Sequence, residues 1–600
     1  MGGRARERAR GPDRRASDPR GRLPRPRRGG DGAVSGGALL ARQVRHELVA
    51  LVRSPVTLIL SVGFPLLFFV LIAALVGDVE VAGSGGVRVA QLVAPGFAAF
   101  GVVMATFSFL AYGFSEARAT GVLKRLGGTP LPRWALLGGR IGAALLLGLI
   151  ATALVVGVGV AAFGIEVQTR SVAAVLVTIV LGSVTFSALG LALATVLPTP
   201  QTTLAVTNGL VVVLSFFSGV FTFGAQTPAW MSTVGSLFPL EHLVVVLGDA
   251  FDPFLTGSGF QPDRLAALAT WGVAGALLGA WGLRRTADGA TRTTRATRAT
   301  RGGRAAGVRG RDPRAADARP RRTTRPTVGR LVLDEVGHTQ RALWRDPSST
   351  FFAVAFPVVL AVVIPLVNGG GDVELEDGAL LGTWFAATMA VYGAAVTAYV
   401  NMPESLAEAR ARGVLKRLRG TPLPLGALLA GRVAGAVAIA LWTTALVLGV
   451  SAVVFGTGVP PGWSAAAGVV TLSAVCFATL GLAVVALVRS GESVVGVTLG
   501  SLLPLCFVSD VFVRGATFPP WLDALSWVFP LRHAANATTT AVVGDAVPAE
   551  HLLVIAAWTV AGAAVVAWRF ERAEAARRHG PVGPRRPAPS RARRRHRVVV

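Results

Sequence analysis

Lysine is the first residue type to consider, because only two lysines occur in 600 residues. Lys124 and Lys416 lie 292 residues apart, and each is followed by arginine. A loop that binds the phosphates of ATP needs glycines for close backbone approach and a lysine within the same motif. Neither lysine belongs to such a motif, and the sequence has no His-Glu-x-x-His or Gly-x-Ser-x-Gly string. We therefore expect no catalytic residue and no ATP hydrolysis by this chain.

Histidine does not form a recognisable ligand set. His46 and His338 precede the first apolar block of each half, and His242 and His533 follow a Phe-Pro-Leu string. No carboxylate or thiol partner repeats with them, which favours a structural or headgroup-contact role over metal binding. We expect no metal site.

A basic string occurs twice, since residues 121–140 and 413–432 agree at 16 of 20 positions. Its pattern predicts a helix that Gly127 and Gly128 close, followed by a helix with Thr129 as its cap and Pro130 in its first turn. The residues concerned are Glu116, Arg118, Gly121, Lys124, Arg125, Leu126, Thr129 and Pro130, and in the second copy Glu408, Arg410, Gly413, Lys416, Arg417, Leu418, Thr421 and Pro422. We call 116–126 and 408–418 the basic segments. Two roles are open for the basic segments. They orient the chain in a membrane and do nothing else, or they form a rigid surface on which another protein acts.

The basic segments are positioned by the apolar blocks that make up most of the chain. Of all residues 52% are hydrophobic and 15% are charged, and the mean hydropathy is +0.58. These values exclude an ordinary soluble enzyme and indicate a membrane protein. The net charge of +27 comes largely from arginines in the tails, a central linker and short loops, which favours membrane orientation over nucleic-acid binding. Cys476 and Cys506 lie in apolar stretches and are predicted to be buried thiols.

Twelve apolar blocks are long enough to cross a bilayer as helices. The predicted spans are 56–76, 91–112, 135–161, 171–196, 203–223, 264–283, 351–367, 379–400, 425–454, 465–488, 494–513 and 550–568. We therefore predict an all-α polytopic membrane protein with two homologous six-helix units and about twelve transmembrane helices. An excess of arginine on one side places both basic segments and both termini in the cytoplasm.

The repeat also divides the chain into domains. The two units are predicted to cover 38–286 and 328–572. Residues 1–37, 287–327 and 573–600 are polar and rich in arginine, a composition that predicts a disordered basic tail, linker and second tail.

The strings EARATGVLKRLGGTPLP and EARARGVLKRLRGTPLP resemble the signature loop of type-2 ABC (ABC-2) transporter permeases, particularly the bacterial daunorubicin-resistance-like exporters. The resemblance implies that the basic segments are coupling helices that contact an ATPase, and that residues 39–54 and 330–346 lie along the inner membrane surface. The outer segments 228–248 and 519–544 resemble re-entrant helices that cap the cavity. Their motif residues are Phe238, Pro239, Leu240 and His242, and Phe529, Pro530, Leu531 and His533.

The same resemblance implies partners and a location. We expect two copies of an ABC ATP-binding subunit, which hold ATP and Mg²⁺, while this chain binds no cofactor. The bilayer is the second partner, a hydrophobic or amphipathic drug, natural product or lipid is the substrate, and nucleic acid is not a partner. The location implied is the bacterial plasma membrane. Fusion of two permeases in one chain departs from the commonest arrangement in the family.

The substrate is expected between the two units, against an apolar wall. The candidate residues are Asn208, Ser215, Phe216, Phe217, Phe507, Ser509 and Asp510. Asp510 is either a functional acid within a span or a solvated residue near its end, and its counterpart is the uncharged Gly219. The glycines of the third span, Gly138, Gly139, Gly142 and Gly148, either allow close helix approach or face lipid.

Two other classes of function stay open. A secondary transporter of the major facilitator type also has twelve spans in two parallel halves and needs no ATPase. Such a protein would carry a Gly-x-x-x-Asp-Arg/Lys loop and buried acidic residues for proton coupling, and neither is visible. A membrane scaffold, or a nucleic-acid or lipid binder, would use the basic tails, but these lack interleaved aromatic residues.

Overall fold

The computed structural model describes residues 35–53, 58–80, 86–221, 229–303, 327–375, 378–418, 424–488, 490–513 and 518–578. Within these ranges the only regular structure besides helices is two isolated β-bridges, Glu80–Arg88 and Glu374–Leu380. The prediction of an all-α protein is therefore confirmed. Most of the two predicted basic tails, and residues 304–326 of the predicted linker, lie outside the described residues.

The described residues of the first unit form eleven α-helices, because a helix satisfies the backbone hydrogen bonds of an apolar segment internally. They are α1 (Gly36–Val52), α2 (Phe64–Val76), α3 (Val89–Val103), α4 (Leu110–Ala119), α5 (Val122–Leu126), α6 (Arg133–Phe163), α7 (Val172–Val196), α8 (Pro200–Phe217), α9 (Ala229–Gly235), α10 (Pro239–Phe251) and α11 (Pro262–Gly303). Helix α11 continues past the predicted end of the sixth span at residue 283, into residues that the sequence assigned to the linker.

The second unit repeats this order, so that each label rises by eleven. Its α-helices of five or more residues are α12 (Val328–Arg345), α13 (Phe356–Val367), α14 (Leu381–Ala395), α15 (Met402–Ala411), α16 (Val414–Leu418), α17 (Leu425–Phe455), α18 (Trp463–Leu487), α19 (Gly491–Val508), α20 (Pro520–Ser526), α21 (Pro530–Val543) and α22 (Ala549–Arg578). Even π-helical turns recur: Ile59–Gly63 and Met104–Phe109 match Phe351–Ala355 and Val396–Asn401. Such turns widen a helix locally and are frequent at functional sites.

Ten described helices are long and apolar enough to cross a membrane, whereas the sequence predicted twelve spans. The remaining two predicted spans are occupied by shorter apolar helices, Ser61–Leu75 and Ser493–Val508. The chain turns directly after the second of these, at Asp510, whose φ is 55°. A further apolar pair, α9 and α10, bends by 105° and is either a broken span or a re-entrant segment.

The glycines of the third span pack against a helix, which decides between their two predicted roles. A Cβ at Gly142 would lie 2.8 Å from Val44 Cγ2, and Gly138 and Gly139 are approached by the Leu40 and Gln43 side chains of α1. Gly148 instead faces the backbone of Val102 on α3. All four glycines therefore allow close helix approach. In the second unit, the corresponding α12 packs against Gly431 and Gly435 of α17.

An ion pair fastens the same two helices in each unit. Arg140 Nε on α6 lies 3.4 Å from Glu47 Oε1 on α1, and Arg432 Nε on α17 lies 2.9 Å from Glu335 Oε1 on α12. The Arg432 guanidinium also donates to the Ser405 hydroxyl, at 2.9 Å. Both Arg432 and Glu335 are largely buried, so each charge depends on the other for compensation.

Replacing Arg432 with methionine is expected to destabilise the chain by about 3 kcal/mol, because it leaves the buried Glu335 carboxylate with only the exposed His338 beside it, at 3.9 Å. The loss is measured as a lower melting temperature of the purified chain in detergent. The double variant Arg432→Met, Glu335→Gln is the control and should recover most of the stability. Equal destabilisation by the single and double variants would show that packing, rather than charge compensation, is lost.

Candidate coupling and translocation site

Each basic segment folds as the end of a long helix, a break and a short helix. Helix α4 ends at Ala119, Gly121 has a left-handed φ of 74°, and α5 follows at once. In the second unit Gly413 has a φ of 71° between α15 and α16. The predicted order of helix, break and helix is confirmed. The helix ends before Gly127 as predicted, because α5 ends at Leu126. An additional break lies at Gly121, within the stretch predicted as continuous helix, where glycine readily adopts the left-handed conformation.

Arg118 and Arg410 hold the basic segments to the fourth membrane-spanning helix of their own unit, which is α7 in the first unit and α18 in the second. The Arg410 guanidinium donates to the carbonyls of Val485 (2.8 Å) and Val488 (2.7 Å), at the C-terminal end of α18. Arg118 donates in the same way to the carbonyls of Thr195 (3.2 Å) and Leu197, at the end of α7. A cation at a helix C-terminus satisfies carbonyls that the helix leaves free. These two predicted ATPase contacts therefore position the segments from within the permease.

Several of the other predicted coupling residues present their side chains to solvent. Glu116, Lys124 and Arg125 are exposed in the first basic segment, and Leu126 is half-buried. In the second segment Arg417 is exposed, and Glu408 forms an exposed ion pair with Arg412 at 2.7 Å. The side chains of Lys416 and Leu418 lie outside the described residues. The described segments thus offer both charge signs to an approaching surface.

The prediction that Thr129 caps the next helix and that Pro130 lies in its first turn is wrong. The Thr129 hydroxyl donates back to the Leu126 carbonyl at 2.6 Å, and the next helix, α6, begins only at Arg133 after Pro132. Threonine hydroxyls commonly close the turn behind them in this way. Both residues are exposed. Their counterparts Thr421 and Pro422 lie outside the described residues.

The predicted outer motif of each unit lies where a short helix is followed by a second helix, α9 and α10 in the first unit and α20 and α21 in the second. Pro239 and Pro530 are the first residues of α10 and α21, where a missing N–H costs nothing. Phe238 and Phe529 precede them in extended conformation, and Leu240 and Leu531 are fully buried. The bend between α9 and α10 is sharp enough for a re-entrant segment.

The motif histidines contact the last helix of each unit, α11 in the first and α22 in the second. His242 Nδ1 lies 3.4 Å from Arg264 Nη1, and Glu241 also pairs with Arg264 at 3.4 Å. His533 Nδ1 lies 2.9 Å from His551 Nδ1. Neither Arg264 nor His551 was predicted as a partner of these histidines. The signal was available, because aligning Trp271 with Trp558 at an offset of 287 places Arg264 opposite His551.

Two phenylalanines, at the C-terminal ends of α8 and α19, pack into the hydrophobic cluster of the opposite unit. Phe507 of α19 meets Phe68 of α2 edge-on, at 4.4 Å between ring centroids, and belongs to the hydrophobic cluster of the first unit. Reciprocally, Phe216 of α8 belongs to the cluster of the second unit. Phe216 and Phe507 are only 5% and 3% exposed. We call these two side chains the crossing phenylalanines.

A row of aromatic rings supports each crossing phenylalanine within its own unit. Phe216 contacts Phe221 at 5.2 Å, and Phe221 contacts Phe100 at 5.4 Å. The second unit repeats the row, with Phe507 to Phe512 at 5.1 Å and Phe512 to Tyr392 at 5.3 Å. Contacts of this kind add about 0.5–1.5 kcal/mol each beyond area burial. The two rows place aromatic side chains across the apolar contact between the units.

The other predicted path residues lie around the crossing phenylalanines. Phe217 meets Trp230 at 6.0 Å, and both line a small apolar cavity of about 30 Å³ together with Val363 and Val367 of the other unit. The Ser215 hydroxyl donates to the Val211 carbonyl. Asn208 Oδ1 and Ser509 Oγ are buried and have no hydrogen-bond partner among the described residues. Together with the Ser215 hydroxyl, they add polar atoms to a largely apolar wall.

Asp510 is neither free nor simply solvated. Its Oδ2 lies 3.2 Å from Nε of Arg532, which also pairs with Asp523 at 2.5 Å. The ion pair ties the end of α19 to α21. Gly219, the counterpart of Asp510, shares its left-handed backbone, with φ values of 79° and 55°. The turn therefore repeats in both units even though the charge does not.

The repeated helices and their apolar faces define the class: this is an all-α, multi-pass membrane protein. A family model described as ABC-2 type transporter matches residues 38–250 and 338–542. The two regions cover more than half of the chain, so the chain belongs to the ABC-2 type transporter family. Its members form the membrane component of ABC transporters and normally work with ABC ATP-binding subunits. A search of curated proteins finds no match.

Proposed function

We propose that this chain supplies both permease units of a bacterial ABC exporter of the daunorubicin-resistance-like type, fused in tandem. The units lie in parallel in the plasma membrane, with both termini and both basic segments cytoplasmic. Two copies of an ATP-binding subunit dock beneath them, one on each basic segment, and hold ATP and Mg²⁺. The residues 39–54 and 330–346 then lie along the inner membrane surface, and the bent helix pairs cap the outer one.

The observation that carries this proposal is the anchoring of both basic segments by the same arginine contact. Arg118 and Arg410 each bind the C-terminal carbonyls of the fourth long helix in their unit. A loop that only oriented the chain would need basic charge but no such attachment. A segment that receives a push does need it, because an unattached loop would bend instead of transmitting force.

The helices that lead away from the basic segments provide a mechanical connection to the contact between the units. Residues Val89–Ala119 form one continuous span, which begins near the cap and ends at the first basic segment. The same span carries Phe100, a member of the aromatic row that ends at Phe216. Closure of the ATP-binding subunits would move the segments, and the rigid spans would separate or reseat the crossing phenylalanines.

The walls of the proposed path favour an apolar or amphipathic cargo. Phe216, Phe217 and Phe507 contribute aromatic surface, and Asn208 and Ser509 add single polar atoms. Drugs, natural products and lipids share this chemistry. Export toward the capped side is part of the proposal.

Photo-crosslinking tests the docking of an ATPase. A benzoyl-phenylalanine at Glu116 or Glu408, introduced in the native host, is expected to capture a protein that contains a Walker A motif. The same probe at Trp521, an exposed residue at the opposite end, is the control and should not capture it. Failure of both basic positions to reach any such protein would overturn the proposal.

Transport in inverted vesicles tests the energy source. ATP should drive uptake when the ATP-binding subunit is present, and a proton gradient without it should not. The charge variant Glu116→Ala, Glu408→Ala, Lys124→Glu, Lys416→Glu is expected to lower ATP-driven uptake while membrane abundance stays unchanged. Undiminished uptake in this variant would show that the basic segments have no part in coupling ATP hydrolysis to transport.

A further inference from the structure

The sixth long helix of each unit has an exposed apolar stripe that ends in an arginine stacked on a tryptophan. In the first unit the stripe runs through Val273, Leu277 and Trp281 at intervals of four residues, and these side chains are 60%, 67% and 48% exposed. Arg285 follows at the next interval, with its guanidinium carbon 3.8 Å from the Trp281 ring centroid. Residues four apart lie on one helix face.

The second unit repeats this arrangement independently. Val560, Ala564 and Trp568 form the exposed stripe on α22, and Arg572 follows at the same interval. Its guanidinium carbon lies 4.1 Å from the Trp568 ring centroid. Arg285 and Arg572 are both exposed. The repetition shows that the tryptophan and arginine pair is not an accident of one surface side chain.

The stripe itself identifies what surrounds it. Apolar side chains in a continuous exposed row on a membrane-spanning helix face hydrocarbon, and tryptophan is enriched where hydrocarbon meets headgroups. An arginine one turn beyond that tryptophan therefore reaches the level of the lipid phosphates. Stacking on the ring fixes the plane of the guanidinium and leaves its N–H groups free to bind a phosphate in bidentate fashion.

We propose that Trp281 with Arg285, and Trp568 with Arg572, form two corresponding binding sites for the headgroup of an anionic phospholipid. The indole packs against the upper acyl chain and glycerol, and the guanidinium binds the phosphate. Arg284, also exposed, adds a second cation to the first site. A headgroup with net negative charge is favoured over a zwitterionic one, because each arginine near the surface attracts such lipids by about 1 kcal/mol, or about fivefold.

The sites lie beside the anchors of the basic segments. Leu283 packs in one cluster with Leu123 of the first basic segment, and a Cβ at Gly282 would meet the Thr195 side chain. In the second unit Arg569 donates to the Ala486 carbonyl at 3.2 Å, next to Val485, the carbonyl partner of Arg410. A bound headgroup would thus sit level with the attachment of each segment to its unit.

Native mass spectrometry of the full chain in detergent tests the proposal, with phosphatidylglycerol or phosphatidylcholine added at equal concentration. We expect two retained phosphatidylglycerol molecules and an apparent affinity about fivefold higher than for phosphatidylcholine. Arg285→Gln or Arg572→Gln should remove one molecule each, and the double variant both. Arg417→Gln is the matched control, since this arginine is exposed on a basic segment and not stacked in the described structure.

Two further arms decide the nature of the ligand. Trp281→Leu with Trp568→Leu keeps the apolar stripe but removes the stacking surface, and should lower retention although both arginines remain. Inorganic phosphate should not displace the lipid, because it lacks the apolar part that the stripe contacts. Displacement by phosphate, equal retention of the two lipids, or wild-type retention in the double arginine variant would overturn the proposal.

Discussion

Replacing Gly121 and Gly413 together with alanine is expected to lower ATP-driven transport about tenfold while the chain still reaches the membrane. Both glycines have a left-handed backbone, with φ values of 74° and 71°. A Cβ at either position would meet no atom within 4 Å, so the effect comes from the backbone alone. The conformation costs a residue with a side chain about 1–2 kcal/mol, and a tenfold change in rate corresponds to about 1.4 kcal/mol.

The physical reason is the direction of α5 and α16. Without the left-handed residue, the chain relaxes toward one continuous helix, and the short helix no longer turns relative to the long one. Arg118 and Arg410 would still hold the long helices, so the unit would assemble with a misdirected basic segment. Transport by reconstituted permease and ATP-binding subunit is the measurement.

Gly113 provides the matched control for this experiment. It lies in α4, in helical conformation, and a Cβ there also meets nothing within 4 Å. Gly113→Ala should leave transport intact, because alanine favours a helix interior. A double alanine variant at Gly121 and Gly413 that transports as well as Gly113→Ala would show that the bend has no part in coupling.

The helices could be predicted largely from the sequence, because apolar blocks in lipid have few alternatives to helix. The internal repeat added a second test, and most predicted spans coincide with helices in both units. Prediction failed where the backbone departs from a regular helix. The early end of α19 before Asp510, and the π-helical turns at Met104–Phe109 and Val396–Asn401, have no composition signal.

The candidate site was predicted in outline, and its contacts were not. Periodicity and charge placed Arg118 in a basic segment, but not against the carbonyls of α7, which lie more than seventy residues away. Likewise, aromatic residues at the ends of the fifth spans suggested a wall. The packing of Phe216 and Phe507 against the opposite unit depends on how the two units meet. A single sequence does not show this directly.

The two ends of the molecule are connected through one long helical segment in each unit. In the second unit, Leu381–Ala411 contains Tyr392 of the aromatic row and ends just before Gly413. The π-helical turn Val396–Asn401 lies between these two features. A rigid span with one irregular turn transmits displacement along its length and concentrates bending at that turn. A push on a basic segment is therefore expected to reach the aromatic rows.

Truncating both crossing phenylalanines, as Phe216→Ala with Phe507→Ala, is expected to raise passive flux of a hydrophobic dye about tenfold in the absence of ATP. Each ring is almost fully buried at the contact between the units, and phenylalanine to alanine changes at such sites cost about 3–5 kcal/mol. That cost falls on the contact between the units, so the arrangement in which the units are in contact is destabilised relative to the one in which they separate. A tenfold higher flux requires a change of only about 1.4 kcal/mol between these two arrangements. Dye release from proteoliposomes that contain the chain alone measures the effect.

A control within one unit distinguishes opening of the path from general destabilisation. Phe186 is buried to a similar degree and contacts Phe107 at 6.1 Å, with both rings in the first unit. Phe186→Ala should lower thermal stability comparably without raising dye release, because the contact between the units keeps its rings. Phe216→Leu with Phe507→Leu, which preserves most of the apolar volume, should leak far less than the alanine pair. Equal leakage from Phe186→Ala and from the crossing pair would mean that the crossing phenylalanines do not close the path.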